Sequence, residues 1–576
     1  MLFQRPFSLA IAVLLMCSSV LANNIQVSNI SLTGQNISAG ANNVANFTMV
    51  EFDLSWENSW RMSTGPANWD AAWVFVKFRI GSGNYQHAYL SPTAGNHTIV
   101  TNNGTAMTIT PAADGTGVFI HRTGNGTGTI SLQDVQLRWL YRNTSLGSTA
   151  ALDADQVTVQ VFAVEMVYIP QGSFFLGDGN RTTSGSPSGT FTFRKNRNAA
   201  SNVPEWAEAY LVTSENAITT LNNANTSTTG LYDFGSNGVN TTYQAYTIPA
   251  AFPKGFNAFY MMKYEVSVKQ YVDFFNTLPT AAGDVSKSNR MPTSTTANRH
   301  NFTWDGNVIS DASFTGSGDR AQNYISWFDA LSYMDWAGLR PMTEMEYEKA
   351  CRGNHASFGP NYPIRGEFAW GNTNSVAGAT LINDNTSTER LSSAAATTNC
   401  NCTTSPNGPV RVGLYADRSP QPTTNPRQLT GASFYGVMDL TGNLREFAVA
   451  TMVYNPNYGT SAYARASQFT GAHGNGNLPV GVTATNGTGT ASGQFDVSGW
   501  NPSCQGYQTG CAGCNPMALG GSFSAGAVSV SGSRDPGTTS GTSTLSSTWI
   551  VSTNTISSGL TAKIADYGIR AVRTAP

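Results

Sequence analysis

The chain has 576 residues, of which 11% are charged, and its formal net charge is -2 at pH 7. A typical globular protein has about 25% charged residues, so Asn, Ser, Thr and Gly must form much of this surface. The scattered Lys and Arg exclude the basic surface that nucleic acid or an anionic membrane requires.

The first 22 residues are predicted to form a secretory signal peptide. Arg5 precedes the apolar run 9–15, and the segment ends at Ala22 with a typical cleavage sequence. The apolar run is too short to cross a bilayer, and no later segment has the ~20 apolar residues of a spanning helix. We therefore expect a secreted, extracellular or cell-surface protein without a transmembrane segment. Lipidation at Cys17 is the alternative.

Residues 23–160 are predicted to form an all-β sandwich. Apolar and aromatic residues alternate in the segments 47–56, 73–80, 130–141 and 157–167, and Gly, Asn and Thr turns separate them. Tryptophans in this region allow two interpretations, a sugar-stacking face or core packing, and packing is the more common. These tryptophans are Trp56, Trp60, Trp69, Trp73 and Trp139.

Residues 161–576 are predicted to form a second domain, closely coupled to the first because the last strand runs directly into segment 166–175. Apolar residues at helical spacing predict helices over 268–275 and 327–337. A third helix is expected to begin at Thr343, which forms a capping box with Glu346.

Two insertions rich in Gly, Asn, Ser and Thr interrupt this domain, near 178–256 and 452–515. Structureless loops of this length are uncommon within compact domains. We expect the insertions to lie outside the core and to carry the contacts with a partner.

A series of short motifs follows one another in this domain. They cover residues 166–174, 264–267, 326–330, 340–350, 368–371, 435–447, 520–523 and 567–570. Together, and above all in the segment YGVMDLTGNLREF at 435–447, they resemble the formylglycine-generating-enzyme (sulfatase-modifying factor) family. The resemblance implies an α+β chain in which a C-type-lectin-like domain with long irregular loops follows the sandwich.

The catalytic cysteines of that family are missing. In active members, the motif that resembles 520–523 is followed by a cysteine and, five residues later, by a second one, and this pair binds copper. Here Ala525 and Val530 stand at those positions, and a shift by one residue brings in Ser524 or Ser529. Thiolates are the soft ligands that Cu(I) needs. We therefore expect no copper and predict no catalytic residues, since neither a GxSxG motif nor a histidine metal motif replaces the pair.

A calcium site is predicted in the 435–447 segment. By resemblance, Asp439 and Glu446 would supply side-chain oxygens, and Gly442 and Leu444 would supply backbone carbonyls. This all-oxygen set is the kind that Ca²⁺ prefers. The alternative is that Asp439 merely closes a turn and that Glu446 pairs with an arginine.

Six cysteines follow the predicted signal peptide, and an even number in an exported chain favours disulfides. They are Cys351, Cys400, Cys402, Cys504, Cys511 and Cys514. Cys400 and Cys402 are only two residues apart, so we expect each to bond to a distant partner. Zinc binding by the last three cysteines is the alternative.

The sequence thus predicts an exported, non-catalytic protein with a degenerate formylglycine-generating-enzyme-like domain. That domain would bind a glycan or protein at the cell surface, or assemble with itself into an extracellular layer or filament. The alternative is an oxidoreductase-like enzyme with altered chemistry on the same fold.

Overall fold

A computed structural model describes most of the chain after the predicted signal peptide. The described residues are 24–102, 104–177, 193–194, 209–221, 230–233, 247–280, 283, 285–292, 297–300, 304–310, 318–354, 363–364, 366–386, 388–392, 397–417, 426–451, 469–480, 495–500, 516–524, 526–527 and 563–576.

Two antiparallel sheets pack face to face in the N-terminal unit. Its strands are β1 (Gln26–Asn36), β2 (Phe47–Arg61), β3 (Asp70–Ile80), β4 (Gln86–His87), β5 (Thr98–Asn102), β6 (Met107–Pro111), β7 (Val118–Arg122), β8 (Gly126–Trp139) and β9 (Val157–Ile169). The first sheet has the order β1-β2-β8-β5, and the second contains the run β9-β3-β7-β6. Strands β2, β3, β8 and β9 contain the four predicted segments almost entirely.

Strand β3 is buried on both faces. Val74 and Val76 pack into the core between the two sheets. Trp73 and Phe75, which point the other way because strand side chains alternate, pack into the core of the second unit. One strand therefore serves two cores, which explains why this segment is a continuous apolar run.

The second unit combines short strands with short helices. The strands are β10 (Phe174–Leu176), β11 (Phe193–Arg194), β12 (Tyr210–Val212), β13 (Ile218–Thr219), β14 (Tyr232–Asp233), β15 (Thr247–Ile248), β16 (Phe259–Met262), β17 (Arg340–Thr343), β18 (Leu381–Ile382), β19 (Arg390–Leu391), β20 (Arg445–Val449), β21 (Pro516–Leu519), β22 (Gly521–Ser522), β23 (Gly526–Ala527), β24 (Tyr567–Gly568) and β25 (Ala571–Thr574). The helices are α1 (Val268–Thr277), α2 (Lys287–Arg290), α3 (Trp327–Trp336), α4 (Glu344–Arg352) and α5 (Pro426–Thr430). The whole is a β-rich α+β protein.

One sheet runs through both units. Its order is β21-β20-β17-β25-β16-β9-β3-β7-β6, with β24 beside β20 and β4 beside β3. Strand β9 pairs with β3 of the sandwich through residues 157–167 and with β16 of the second unit through residues 166–169. The boundary predicted at residue 160 therefore falls inside a strand that both units share.

The three predicted helices are present as α1, α3 and α4. Each begins with a capping box, in which Ser267, Ser326 or Thr343 is the N-cap residue. The side chains of α3 and α4 are buried along their whole length, so these two helices belong to the core of the second unit. None of the helices in the described ranges is long and apolar enough to cross a membrane.

The tryptophans of the sandwich mostly form core. Trp56, Trp73 and Trp139 are at most 2% exposed, which confirms packing rather than sugar stacking for these three. Trp60 and Trp69 are half-buried. Trp69 stacks on Tyr168 with 3.8 Å between ring centroids.

Part of the second insertion belongs to the core. Within the described stretches 469–480 and 495–500, the side chains of Phe469, Phe495 and Trp500 are buried against the sheet and helices. The expectation that this insertion lies outside the core is wrong for these stretches, because their aromatic rings supply the apolar area that makes burial favourable. Most of the first insertion lies outside the described residues.

The disulfide expectation needs correction. Cys400 and Cys402 are bonded to each other, with Cα atoms 5.4 Å apart, a separation that a disulfide spans without difficulty. Cys351 is buried and free. The expectation that each of these cysteines bonds to a distant partner is therefore wrong, because the backbone brings their Cα atoms within disulfide distance despite the short separation in sequence. The cysteines at 504, 511 and 514 lie outside the described residues.

Candidate functional site

The segment predicted to bind a metal is the turn-rich loop that leads into β20. Asp439 and Asn443 have φ angles of 60° and 59°, in the left-handed region that Asp and Asn tolerate better than most residues. Gly442 has a φ of 92°, and a Cβ atom there would lie 2.6 Å from Cys402 Sγ. The residue types at these positions therefore fix the path of the loop.

Asn443 ties this loop to three other segments. Its Nδ2 donates to Glu265, and its Oδ1 accepts from the backbone N–H of Val410 at 2.9 Å and from Asn401 Nδ2 at 3.2 Å. The backbone N–H of Leu444 donates to Glu265 Oε1 at 2.9 Å. Both oxygens of Glu265 thus accept hydrogen bonds from the loop, which positions the start of β20.

Glu446, in β20, forms a buried ion pair with Arg570. The guanidinium Nε lies 2.8 Å from both carboxylate oxygens, and Nη2 lies 2.6 Å from Oε1. Arg570 also donates to the carbonyls of Met262 and Met438, each at 2.8 Å. A charge-assisted pair of this kind is among the strongest side-chain interactions in proteins.

Two further carboxylates lie close to this pair. Burial, followed by the nearby charges of Asp439 and Glu446, raises the pKa of Glu265 well above its usual range. Burial also raises the pKa of Asp439, whose Oδ2 accepts from the backbone N–H of Gly413 at 2.6 Å. Arg570 therefore faces three buried carboxylates, with Arg411 as a further positive charge near Asp439, and the cluster carries an excess of acidic groups.

The predicted calcium ligands fit this arrangement only in part. The structure brings Asp439, Gly442, Leu444 and Glu446 together in one loop and strand, and the surplus of carboxylates suits a cation. However, Arg570 occupies both oxygens of Glu446. Within the described part of the chain, no group of three or more His, Cys, Asp or Glu side chains is arranged to hold a metal ion. Calcium stays a prediction, and binding through Glu446 requires Arg570 to move.

A hydroxyl and carboxylate cluster follows β22, near the place where active relatives carry the copper ligands. Ser522 Oγ and Ser524 Oγ donate to Asp566 Oδ2 at 2.9 and 2.7 Å. Arg445 Nε lies 3.4 Å from the same oxygen. A Ser-His-Asp arrangement needs an imidazole between the hydroxyl and the carboxylate, but here both hydroxyls bond to the carboxylate directly. This geometry holds the loop and does not activate a nucleophile.

Ala525 and Val530 themselves lie outside the described residues. The sequence places no sulfur at either position or beside it. Ser524, which precedes Ala525 in the sequence, is exposed, and its hydroxyl donates to Asp566 Oδ2. A hydroxyl oxygen is not a soft donor of the kind that holds Cu(I).

Three residues in these clusters have roles that the motifs do not predict. Glu265 and Arg570 lie within the motifs at 264–267 and 567–570, from which neither their burial nor their partners follow. Asp566 directly precedes the last motif. The signal for all three is the same, since an acidic or basic residue inside a mostly apolar motif must find a partner when it is buried.

Comparison with known proteins agrees with the motifs. Residues 227–493 match the family model described as the sulfatase-modifying factor enzyme 1-like domain. The match ends before β21, so the segment that would carry the copper-binding cysteines lies outside it. No curated protein matches the chain.

Proposed function

We propose that this chain, which carries a domain of the sulfatase-modifying factor enzyme 1-like family, is an exported protein that uses this domain without catalysis. The domain, with a C-type-lectin-like fold, would bind a glycan or protein at the cell surface, or assemble with further copies into an extracellular layer or filament.

The observation that carries this proposal is the loss of the thiolate pair. The positions expected for the two cysteines hold Ala525 and Val530, and Ser524 beside them donates to Asp566. An oxidase that binds Cu(I) through two sulfurs cannot work with these groups. The domain retains the motifs that form its scaffold but lacks the two cysteines of the oxidase reaction, which favours use as a binding or assembly module.

The way in which the two units are joined also supports such a role. They share a continuous sheet, and strand β3 contributes to the core of each. A platform of this kind holds loops at fixed positions, and loops on a rigid scaffold commonly carry binding function. The small number of charged residues leaves a polar, nearly uncharged surface, which suits contact with matrix or with further copies.

The first experiment tests the absence of catalysis. The purified chain is incubated with Cu(I), oxygen and a Cys-x-Pro-x-Arg peptide, and the peptide mass is followed. We expect the cysteine to remain unchanged. An active member of the family is the positive control. Conversion of the cysteine to the aldehyde contradicts the proposal.

The second experiment distinguishes assembly from recognition. Electron microscopy of native material shows filaments or layers if the protein assembles with itself, and single particles if it acts by recognition. A single particle that turns over a thiol or another redox substrate supports the alternative of an oxidoreductase-like enzyme instead.

Calcium binding at the loop before β20 forms part of this proposal. The surplus of buried carboxylates supports it, and the engagement of Glu446 by Arg570 opposes it. Bound calcium would fix the loop that precedes β20 and would take no part in a reaction.

A further inference from the structure

A cavity lies between the sandwich and the helices of the second unit. It has a volume of about 330 Å³, at the small end of the ~300–1,000 Å³ typical of ligand pockets. Strands β1, β3 and β9 line one side, and helices α1 and α3 line the other. Ligand sites occur preferentially at such boundaries between structural units.

Aromatic rings from both units meet in this cavity. Phe75 and Phe162 are directly opposite each other in neighbouring strands, and their rings lie side by side with centroids 5.4 Å apart. Trp336 of α3 contacts both with its ring nearly perpendicular to theirs, at 5.0 and 4.8 Å. Phe162 is half-buried, so a ligand in the cavity can reach its ring.

Polar side chains line the same cavity. They include Gln160 on the sheet side and Gln270, Asp273 and Asp319 on the side of the second unit. These amides and carboxylates offer both donors and acceptors. Apolar rings with a few convergent polar groups are the usual composition of a small-molecule site.

The charges of the lining favour a neutral ligand. Lys269 lines the cavity but forms an ion pair with Asp273. Burial raises the pKa of Asp319, and the nearby Arg411 offsets this shift only in part. An anionic ligand finds no unpaired cation among the described lining residues. A cationic ligand finds one carboxylate that is already ion-paired, Asp273, and one that ionises less readily than usual, Asp319.

Trp336 also carries an unsatisfied donor. Its indole Nε1 is buried and has no hydrogen-bond partner among the described residues. Unpartnered buried donors are rare in proteins. Because this nitrogen is shielded from solvent, a ligand would be held by the Phe162 ring and by the polar side chains that line the cavity.

We propose that this cavity binds an uncharged saccharide of one or two rings. The C–H face of a sugar ring is attracted to the negative face of an aromatic ring, and its hydroxyls match the mixed amide and carboxylate lining. The inference rests on the proposed binding function and names one class of ligand for it.

Titration calorimetry of the full mature chain tests this inference, with cellobiose, maltose, lactose and N,N′-diacetylchitobiose as probes. We expect at least one of the four to bind at millimolar or lower concentration. Phe162→Ala and Gln160→Ala should each raise the Kd about tenfold, which corresponds to about 1.4 kcal/mol. Thr158→Ala is the matched control, because it lies on β9 outside the cavity, and its Kd should equal that of the wild type.

Gln160→Ala still tests the lining if Phe162→Ala fails to fold, and Asp319→Asn, which keeps the shape of the side chain and removes its charge, tests whether the ligand is neutral. Asp319→Asn should leave the Kd within about threefold if the ligand is neutral. Absence of binding by all four sugars overturns the inference, as does binding that neither Phe162→Ala nor Gln160→Ala weakens. These results leave the proposal of a non-catalytic protein intact, since conversion of the cysteine peptide is what contradicts that proposal.

Discussion

The core between the two sheets of the sandwich is a cluster of apolar side chains, whereas the core of the second unit also contains many buried ion pairs. The pairs in the described residues include Arg290–Asp329, Arg320–Glu389, Arg340–Glu346, Arg352–Glu348, Arg352–Glu367 and Arg570–Glu446. Only 11% of the residues are charged, so these buried arginines and carboxylates are a substantial part of all the charged residues. Its charged residues hold the fold together more than they solvate the surface.

The difference follows from the secondary structure of the two units. The backbone N–H and C=O groups of long strands pair with those of neighbouring strands, so a sheet needs only an apolar face to pack. The second unit consists largely of loops, and apolar packing is non-directional. Bidentate ion pairs are directional, so they can fix the geometry of loops that have no ladder of backbone hydrogen bonds.

The largest effect is expected at Arg570. Arg570→Ala leaves Glu446 buried without a counter-charge and close to Glu265 and Asp439. Removal of one partner of a buried pair costs about 3–5 kcal/mol, and this crowded site should lie at the upper end. Urea unfolding measures the change in the free energy of unfolding.

Two variants give reference values for the change in the free energy of unfolding that Arg570→Ala causes. Leu54→Ala, in the sandwich core, should cost about 2–5 kcal/mol through lost apolar burial and a cavity. Arg390→Ala, on an exposed arginine of the second unit, should change the free energy of unfolding by less than about 0.5 kcal/mol. If Arg570→Ala lowers the free energy of unfolding no more than Arg390→Ala does, the buried ion pairs do not stabilise the second unit. The proposed difference between the two cores is then wrong.

Chelation tests whether calcium binds this carboxylate cluster as a further cation beside Arg570. A ligand that binds only the folded state adds about 2.7 kcal/mol at a hundred times its Kd. We expect chelation to lower the melting temperature of the wild type and Glu446→Gln to abolish the difference. Equal melting curves with and without chelator, in the wild type, would show that Arg570 suffices.

Much of the fold follows from sequence, for a physical reason. The period-two pattern predicts β2, β8 and β9, the apolar segment 73–80 predicts β3, and the capping box at Thr343 predicts the start of α4. These signals are local, because they depend on residues within a few positions of one another.

The site could be predicted only in part. The motif at 435–447 indicates the loop, but the partner of Glu446 lies 124 residues further along the chain. No local pattern identifies Arg570 as that partner. The same holds for the cavity, since Phe162 and Trp336 come together only because the sheet continues from one unit into the other.

The Cys400–Cys402 bond should contribute less than a long-range disulfide. Chain entropy gives about 1.6 kcal/mol for a loop of three residues, compared with about 3 kcal/mol for 15 residues. The double variant Cys400→Ser/Cys402→Ser should therefore lose about 1.6 kcal/mol, and peptide mapping without reductant should recover the two cysteines in one cross-linked peptide. A bond from either cysteine to another segment would contradict the structure.

The smallest effect is expected at His87, where the two units meet. Its ring lies 2.6 Å from the carbonyl of Thr116 and 2.8 Å from Lys77 Nζ, and Lys77 also donates to the carbonyl of Trp336 in α3. With Thr116 as the acceptor for Nε2–H, Nδ1 is free to accept from Lys77, so the imidazole is neutral. Burial, followed by the charge of Lys77, lowers the pKa of His87 well below 6.5.

The sign of the pH dependence follows from this shift. Below pH 6.5 the unfolded chain binds a proton that the folded chain does not, so the stability present above 6.5 is lost as the pH falls. At pH 5.5 the loss from one such histidine is about 1.4 kcal/mol. His87→Gln should be less stable than the wild type at pH 7.5, but should lose about 1.4 kcal/mol less between pH 7.5 and 5.5. If both proteins lose the same amount in urea unfolding, His87 takes up a proton in the folded state, and the junction between sandwich and second unit tolerates a buried imidazolium beside Lys77.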